Sequence, residues 1–366
     1  MSEHIESTHF QPPSQTPSVE GYFRVPPIWI DQEPNPESTE RFSQQFYHGV
    51  VLEKTLDSNI TVQALRDGTF LFDFSSYSLT PPVTIPGYPY PGPGIPYQPP
   101  AEASAAERLA EKHTEIRASI INVHQVCLTT SERLLKRRFA QMGFPIDAQD
   151  TLKGRSFTEA ANYDGGHGDI HSLTRNIADK INVNSAGPYP RRVVELDVVK
   201  HSLQMLDEIL LKDDPTILHM ITSLQSAAQS YTGRKNGESV VVAWFVCEQM
   251  ISFAWNTLLD DEQMNERMPS HRKKKLNGRD YSASVITEFL EIMNVIDHET
   301  YNQLNTVRKS RNDWAHQFKE PTAQHVHDAI DSAQKLLSKF KGVEMLLSLT
   351  GPGPGVPSWF IYKDPP

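Results

Sequence analysis

Between Ser239 and Leu259 the sequence is apolar almost all the way round the helix it would form, with Trp244, Phe245, Met250, Phe253 and Trp255 pointing in several directions. A helix without a polar face must be enclosed by others, so the chain is constrained to a helical bundle with this stretch at its centre. Its longest aliphatic run, Val240 to Val246, is far shorter than the roughly 20 apolar residues that span a bilayer. Glu248 is the one charged residue in the stretch. A carboxylate in such a place needs a partner, because an unpaired buried charge costs several kcal/mol or more. Candidates lie on a later helix opened by Asp297, where the spacing predicts an inward stripe of Tyr301, Leu304, Arg308, Arg311 and Ala315. Glu248 and the two arginines therefore predict one another.

The rest of the chain divides by composition. Residues 1–19 are polar and aperiodic, a flexible tail. Residues 20–80 form a small β-rich unit, whose clearest element is a hairpin: Ile60 to Leu65, a turn at Asp67-Gly68, then Thr69 to Phe74. Its simplest role is to cap the helical part. Residues 81–100 are a proline- and glycine-rich linker that holds no regular element. Residues 101–190 comprise a long helix and a polar loop. The helix, Ala101 to Met142, presents Ile116, Ile120, Val123 and Cys127 on one stripe and ends before Gly143 and Pro145. Residues 191–349 carry the bundle: helices from Val193, from Asp214-Pro215, over Ser239–Leu259, over Val285–Met293, from Asp297 and from Pro321-Thr322. Residues 350–366 form a proline-rich tail. The fold class is mainly α, a helical bundle preceded by a β-rich unit.

The net charge of -10 is uneven. Residues 1–100 hold 4 of the 35 basic and 11 of the 45 acidic residues, which leaves the helical part near neutral and able to carry basic patches. The last turns of the long helix carry Arg133, Lys136, Arg137 and Arg138; favourable placement at a helix C-terminus accounts for them, and phosphate contact is the alternative. Arg272, Lys273, Lys274 and Lys275 fall in a loop between Pro269 and Gly278, placed to meet RNA. Asp164, His167, Asp169 and His171 invite a metal, but the glycines among them favour a polar loop over fixed coordination geometry. Neither a metal nor another cofactor is expected. Cys127 and Cys247, both in apolar helical stretches, suit a reducing compartment, and the N-terminus has no leader pattern. We expect a cytoplasmic protein without membrane attachment.

The motif Arg311-Asn312-Asp313-Trp314-Ala315-His316 ends the helix that carries the two arginines. Arginine supplies a planar fork for a phosphate, and histidine titrates near neutral pH, a combination suited to acid–base chemistry on a phosphodiester. The string resembles the R-x4-6-H motif of the HEPN superfamily, with a polar residue after the arginine, and the resemblance is strongest over residues 239–340. It implies a HEPN-like helical bundle that pairs as a homodimer, joining two motifs in one cleft. It implies a metal-independent endoribonuclease, in defence or growth control, that leaves a cyclic phosphate. His316 would be general acid or base and Arg311 would stabilise phosphoryl charge. Asn312 would hold substrate or the histidine, Arg308 would add binding, and Glu248 would face the motif from the central helix. His325 and His327 lie close enough in sequence to join it.

A different class of protein fits the same residues. A non-catalytic helical module, for RNA binding or protein assembly, would use Glu248 and the arginines as a structural ion-pair centre. The acidic N-terminal unit would also be placed to restrain a basic cleft, which comparing the full chain with a fragment beginning near Ala101 would reveal.

Overall fold

The computed structural model describes residues 18–24, 28–32, 48–77, 105–136, 142–143, 145–148, 150–162, 192–260, 276, 282–347 and 349. They form, in chain order, β1 (Val19–Phe23), β2 (Ile28–Ile30), β3 (Val50–Thr55), β4 (Thr61–Leu65), β5 (Thr69–Asp73), α1 (Ala105–Lys136), β6 (Leu152–Gly154), α2 (Phe157–Ala161) and β7 (Arg192–Val194). Six helices follow: α3 (Leu196–Leu210), α4 (Pro215–Thr232), α5 (Asn236–Asp260), α6 (Ala283–Ile292), α7 (His298–Gln317) and α8 (Ala323–Lys341). The described chain is mostly helical, with an antiparallel sheet built mainly from its N-terminal part. None of its described helices is long and apolar enough to cross a membrane.

The expected hairpin is β4–β5, with Val62 opposite Phe72 and Ala64 opposite Phe70. Gly68 sits at φ +88 in its turn, and a Cβ there would meet Ile28 Cγ1 at 2.8 Å, so both conformation and close approach call for glycine. β1 pairs antiparallel with β5 and, on its other side, with β6, giving the order β3-β4-β5-β1-β6. One face of this sheet buries Val19, Leu65, Leu71 and Leu152 under Ala160 and Ala161 of α2. The other face lies on α1.

The sheet therefore reaches beyond residues 20–80. β6 comes from the segment assigned to the long helix and its loop. β7, where a helix was expected to begin at Val193, is instead a strand that pairs in parallel with β2. Tyr22, Phe70 and Phe72 belong to the same apolar cluster as the helices, so sheet and bundle share one core. A fragment starting near Ala101 would strip α1 of its cover, so the N-terminal unit is a layer of the same fold. Residues 1–17, the linker, the C-terminal tail, the Asp164–His171 loop and Arg272–Lys275 lie outside the described residues, whereas Val19, expected at the end of the flexible tail, is buried at the start of β1.

α1 departs most from expectation. Beyond Ile120, Val123 and Cys127, it also buries Asn122, His124, Gln125, Thr129, Thr130, Ser131 and Glu132. The reason is position: the sheet covers one side, α3 and α4 cover others, and each polar group meets a partner across the packing. On β1 the alternation of residues turns Glu20, Tyr22 and Arg24 toward α1. Glu20 pairs with Arg117 at 3.0 Å, Tyr22 Oη lies 2.9 Å from His124 Nδ1, and Arg24 Nη2 donates to Thr129 Oγ1 at 3.1 Å. Asn122 exchanges two hydrogen bonds with the Ile146 backbone, and buried Glu132 pairs with Arg192 at 2.7 Å. Two of the basic residues at the α1 end are engaged within the chain: Arg133 donates to Leu347 O, and Lys136 pairs with Glu195 and Asp197, while Arg137 and Arg138 lie outside the described residues.

α5 takes the central place its composition demands, packed against α4, α6, α7 and α8. The helix starts were legible: Asp214 accepts from Thr216 N before Pro215 opens α4, and Asp297 accepts from Thr300 N at the start of α7. The spacing of Val326, Ile330, Ala333, Leu337 and Phe340 predicts the inward stripe of α8, and the first four are buried while Phe340 is half-buried.

His124 joins three layers, since Ser202 Oγ of α3 lies 3.2 Å from its Nε2. Ser202 already donates to Val199 O, so it accepts from Nε2–H while the Tyr22 hydroxyl donates to Nδ1. This arrangement needs the neutral ring, and burial, with Arg24 nearby, pushes the His124 pKa down to about 3. An unfolded histidine titrates near 6.5, so the unfolded chain binds the extra proton first. Stability from this group is complete above about pH 6.5 and falls by about 1.4 kcal/mol per pH unit below it, until pH reaches the folded value. Urea unfolding between pH 7 and 4.5 should show a shallower loss for His124→Asn than for wild type. Parallel curves would mean that the ring does not set this slope.

Candidate functional site

The motif occupies the last turns of α7, and its orientation differs from the predicted stripe. The buried positions of α7 are Thr300, Leu304, Val307 and Ser310, with Trp314 half-buried beyond them. Leu304 belongs to both patterns, but Val307 and Trp314 offer more apolar surface than Arg308 and Ala315. The helix has therefore turned by about one residue relative to the expected face. Arg308 and Arg311 end on its flank, half-buried, with Ala315 and His316 exposed. Flank positions let an arginine pack its stem while the guanidinium reaches the surface.

Trp314 fixes the axial level of this helix end. Its indole lies so close to Gly237, in the first turn of α5, that a Cβ there would meet Nε1 at 2.1 Å. The turn after α7 adds two contacts: Glu320 Oε1 accepts from Gly237 N at 3.1 Å, and Asn236 Nδ2 donates to Pro321 O at 2.9 Å. The Glu320 carboxylate also meets the positive end of the α5 dipole. Together these three contacts clamp the motif to the start of α5.

The clamp leaves Glu248 without the expected pairing to the motif. Glu248 is eleven residues beyond Gly237, about 16 Å along α5, whereas Arg311 is one turn from Trp314. Among the described residues no ion pair joins Glu248 to Arg308 or Arg311. Periodicity had placed the three on facing sides, but the offset along the helix axes keeps Glu248 from Arg311.

Arg311 instead donates through Nη1 to Asn312 Oδ1 at 2.9 Å. Arg308 donates to Asn305 Oδ1 at 3.4 Å, and its Nε is buried without a hydrogen-bond partner. Among the described residues no carboxylate pairs with Arg308, Lys309 or Arg311. The nearby acids are occupied elsewhere: Glu320 by the α5 backbone and Asp313 by Lys319 at 3.7 Å. This helix end therefore carries unneutralised positive charge beside an exposed imidazole.

His325 and His327 are engaged structurally. His325 Nδ1 accepts from Thr322 N and completes a capping box at the start of α8, while His327 lies 3.4 Å through Nε2 from Tyr231 Oη on α4. No group of three or more His, Cys, Asp or Glu side chains able to hold a metal ion occurs among the described residues.

The sequence reading passed over Phe318. It follows α7 with its backbone in the left-handed region, φ 54, held by its N–H donating to Trp314 O at 3.0 Å. Glycine is the usual residue at such a C-terminal position, and a side chain there costs about 1–2 kcal/mol. Phe318 is nevertheless 87% exposed, so its ring recovers little of that cost by packing. An aromatic two residues after the motif was the one available signal.

Comparison with protein-family models, with curated proteins and with solved structures yields no match to this chain.

The Trp314 contact makes a prediction whose sign is opposite to helix propensity. Alanine normally stabilises a helix over glycine by roughly 0.5–1 kcal/mol. Gly237→Ala should instead lower the unfolding free energy by about 1–3 kcal/mol, because its Cβ displaces the indole. Chemical denaturation measures this directly, and a stabilised variant would show that Trp314 does not hold α7 against α5.

Proposed function

We propose that this chain is a metal-independent endoribonuclease of the HEPN kind, acting as a homodimer that joins two α7 ends in one cleft. The observation that carries the reading is Arg311: half-buried, steadied by Asn312 and free of any carboxylate partner among the described residues, with exposed His316 five positions later. An arginine oriented by a neutral amide keeps its charge available for a phosphate. The competing structural ion-pair centre has lost its carboxylate, since Glu248 pairs with neither arginine.

In this reading His316 removes the proton from a ribose 2'-hydroxyl as that oxygen attacks the adjacent phosphorus. The phosphorus–O5' bond breaks, and the imidazolium, from the same copy or the second, protonates the leaving O5'. The products are a 2',3'-cyclic phosphate and a free 5'-hydroxyl. Arg311 stabilises negative charge gathering on the non-bridging oxygens, and Asn312 holds the guanidinium in place. Arg308 adds its positive charge to the binding of the same chain of phosphates, and Arg272, Lys273, Lys274 and Lys275 extend the contact along RNA. DNA lacks the nucleophile and is not cut.

Incubating the purified full chain and His316→Ala with a mixed RNA pool in EDTA tests this. The wild type should generate cyclic-phosphate termini, and the variant should lose about 100-fold or more of the rate. The variant should also unfold within about 0.5 kcal/mol of wild type, because the side chain is exposed. Equal cleavage by both proteins would remove His316 from the chemistry. Binding without any product would leave a non-catalytic RNA module.

A further inference from the structure

We propose that Phe318 is a stacking platform for one base of single-stranded RNA, beside the phosphate that Arg311 and His316 engage. This rests on the ribonuclease reading for its ligand but on separate observations for its site. Phe318 is the most exposed large hydrophobic side chain among the described residues, ahead of Ile292 at 68% and Leu211 at 56%. It is held in the left-handed backbone region, where a ring is disfavoured, and strain of this type persists where function gains from it.

The backbone beneath the ring is fixed at both ends. Phe318 N and Lys319 N donate to Trp314 O and Asp313 O, and the clamp of Trp314, Glu320 and Pro321 onto α5 anchors the turn. The ring is thus presented on a rigid support two residues from His316. Charge on the preceding helix decides between partners. Arg308, Lys309 and Arg311 precede the ring on α7 with no carboxylate pair among the described residues, while Lys319 beside it is 73% exposed and pairs with Asp313 at 3.7 Å, and Glu320 is held by Gly237 N. A flat apolar ring that follows three uncancelled cations on one helix matches the alternating base and phosphate of a single strand, whose bases stack on aromatic rings with little sequence preference.

The geometry also separates binding from stability. Phe318→Gly removes the ring and accommodates the left-handed backbone, so the variant should melt above wild type while binding RNA less well. Anisotropy of a fluorescein-labelled 12-nucleotide mixed-sequence RNA, with the full chain in EDTA, measures the affinity in the cleavage-blocked His316→Ala background. Phe318→Ala and Phe318→Gly should each weaken binding roughly 5- to 150-fold, the range for one lost base–aromatic stack, and Phe318→Trp should retain it. Wild-type affinity in the Ala and Gly variants would overturn the stacking site and leave the ribonuclease reading intact. Phe318-dependent binding without cleavage by the His316-bearing chain would uphold the site while the nuclease reading falls. A Phe318→Gly variant that changes only its sedimentation, from dimer to monomer, would assign the ring to a protein contact and overturn the RNA site. A parent chain that binds no RNA at all would overturn both.

Discussion

The seam between β1 and α1 is the contact on which the rest of the molecule depends. Glu20 and Tyr22 of β1, with Arg24 immediately after the strand, meet Arg117, His124 and Thr129 of one helix. These are polar groups in a dry interior, where an unmade hydrogen bond costs more than a made one returns. Their pairing therefore fixes the register of sheet against helix more sharply than apolar packing alone, which tolerates sliding. Tyr22, Phe70 and Phe72 surround the His124 ring and supply the apolar burial, and Ser202 extends the connection into α3.

From that seam the helices build outward to the candidate site. α1 packs on α3 and α4, α4 on α5, and α5 receives α6, α7 and α8. Farther out, the contacts change character. At the seam charged and polar groups are buried and paired. At the end of α7 the guanidiniums sit on a flank, His316 is exposed, and the anchoring is done by an indole against a glycine and a carboxylate on a helix N-terminus. This division suits a site in which the support is rigid and the reactive groups face solvent. Holding Arg311 with Asn312, and not with a carboxylate, leaves its charge uncancelled.

Much of the architecture was legible because the signals were local. The hairpin around Asp67-Gly68, the caps at Asp214, Asp297 and Thr322, the stripe of α8 and the apolar circumference of α5 depend on residues a few positions apart. The motif helix was legible in extent but not in rotation. Two stripes competed for its inward face, both containing Leu304, and the choice depended on what Val307 and Trp314 could pack against. The buried polar residues of α1 were not legible at all. Asn122, His124, Gln125 and Thr129 carry no local signal of burial, because their partners come from β1, α3 and the chain near Ile146.

The sequence by itself determined that the chain would be mainly helical, that Ser239–Leu259 would lie at the centre, and that Arg311 and His316 would share the end of one helix. Those are properties of spacing and of short-range geometry. Only the tertiary structure decided which groups meet. It kept Glu248 from Arg311 by an offset along two packed helices, gave His325 and His327 to a cap and a tyrosine, and brought Trp314 onto Gly237. It also left Phe318 in the open. A periodic pattern carries the angle of a side chain about its own helix, but not its level beside a neighbour or the partner it finds there.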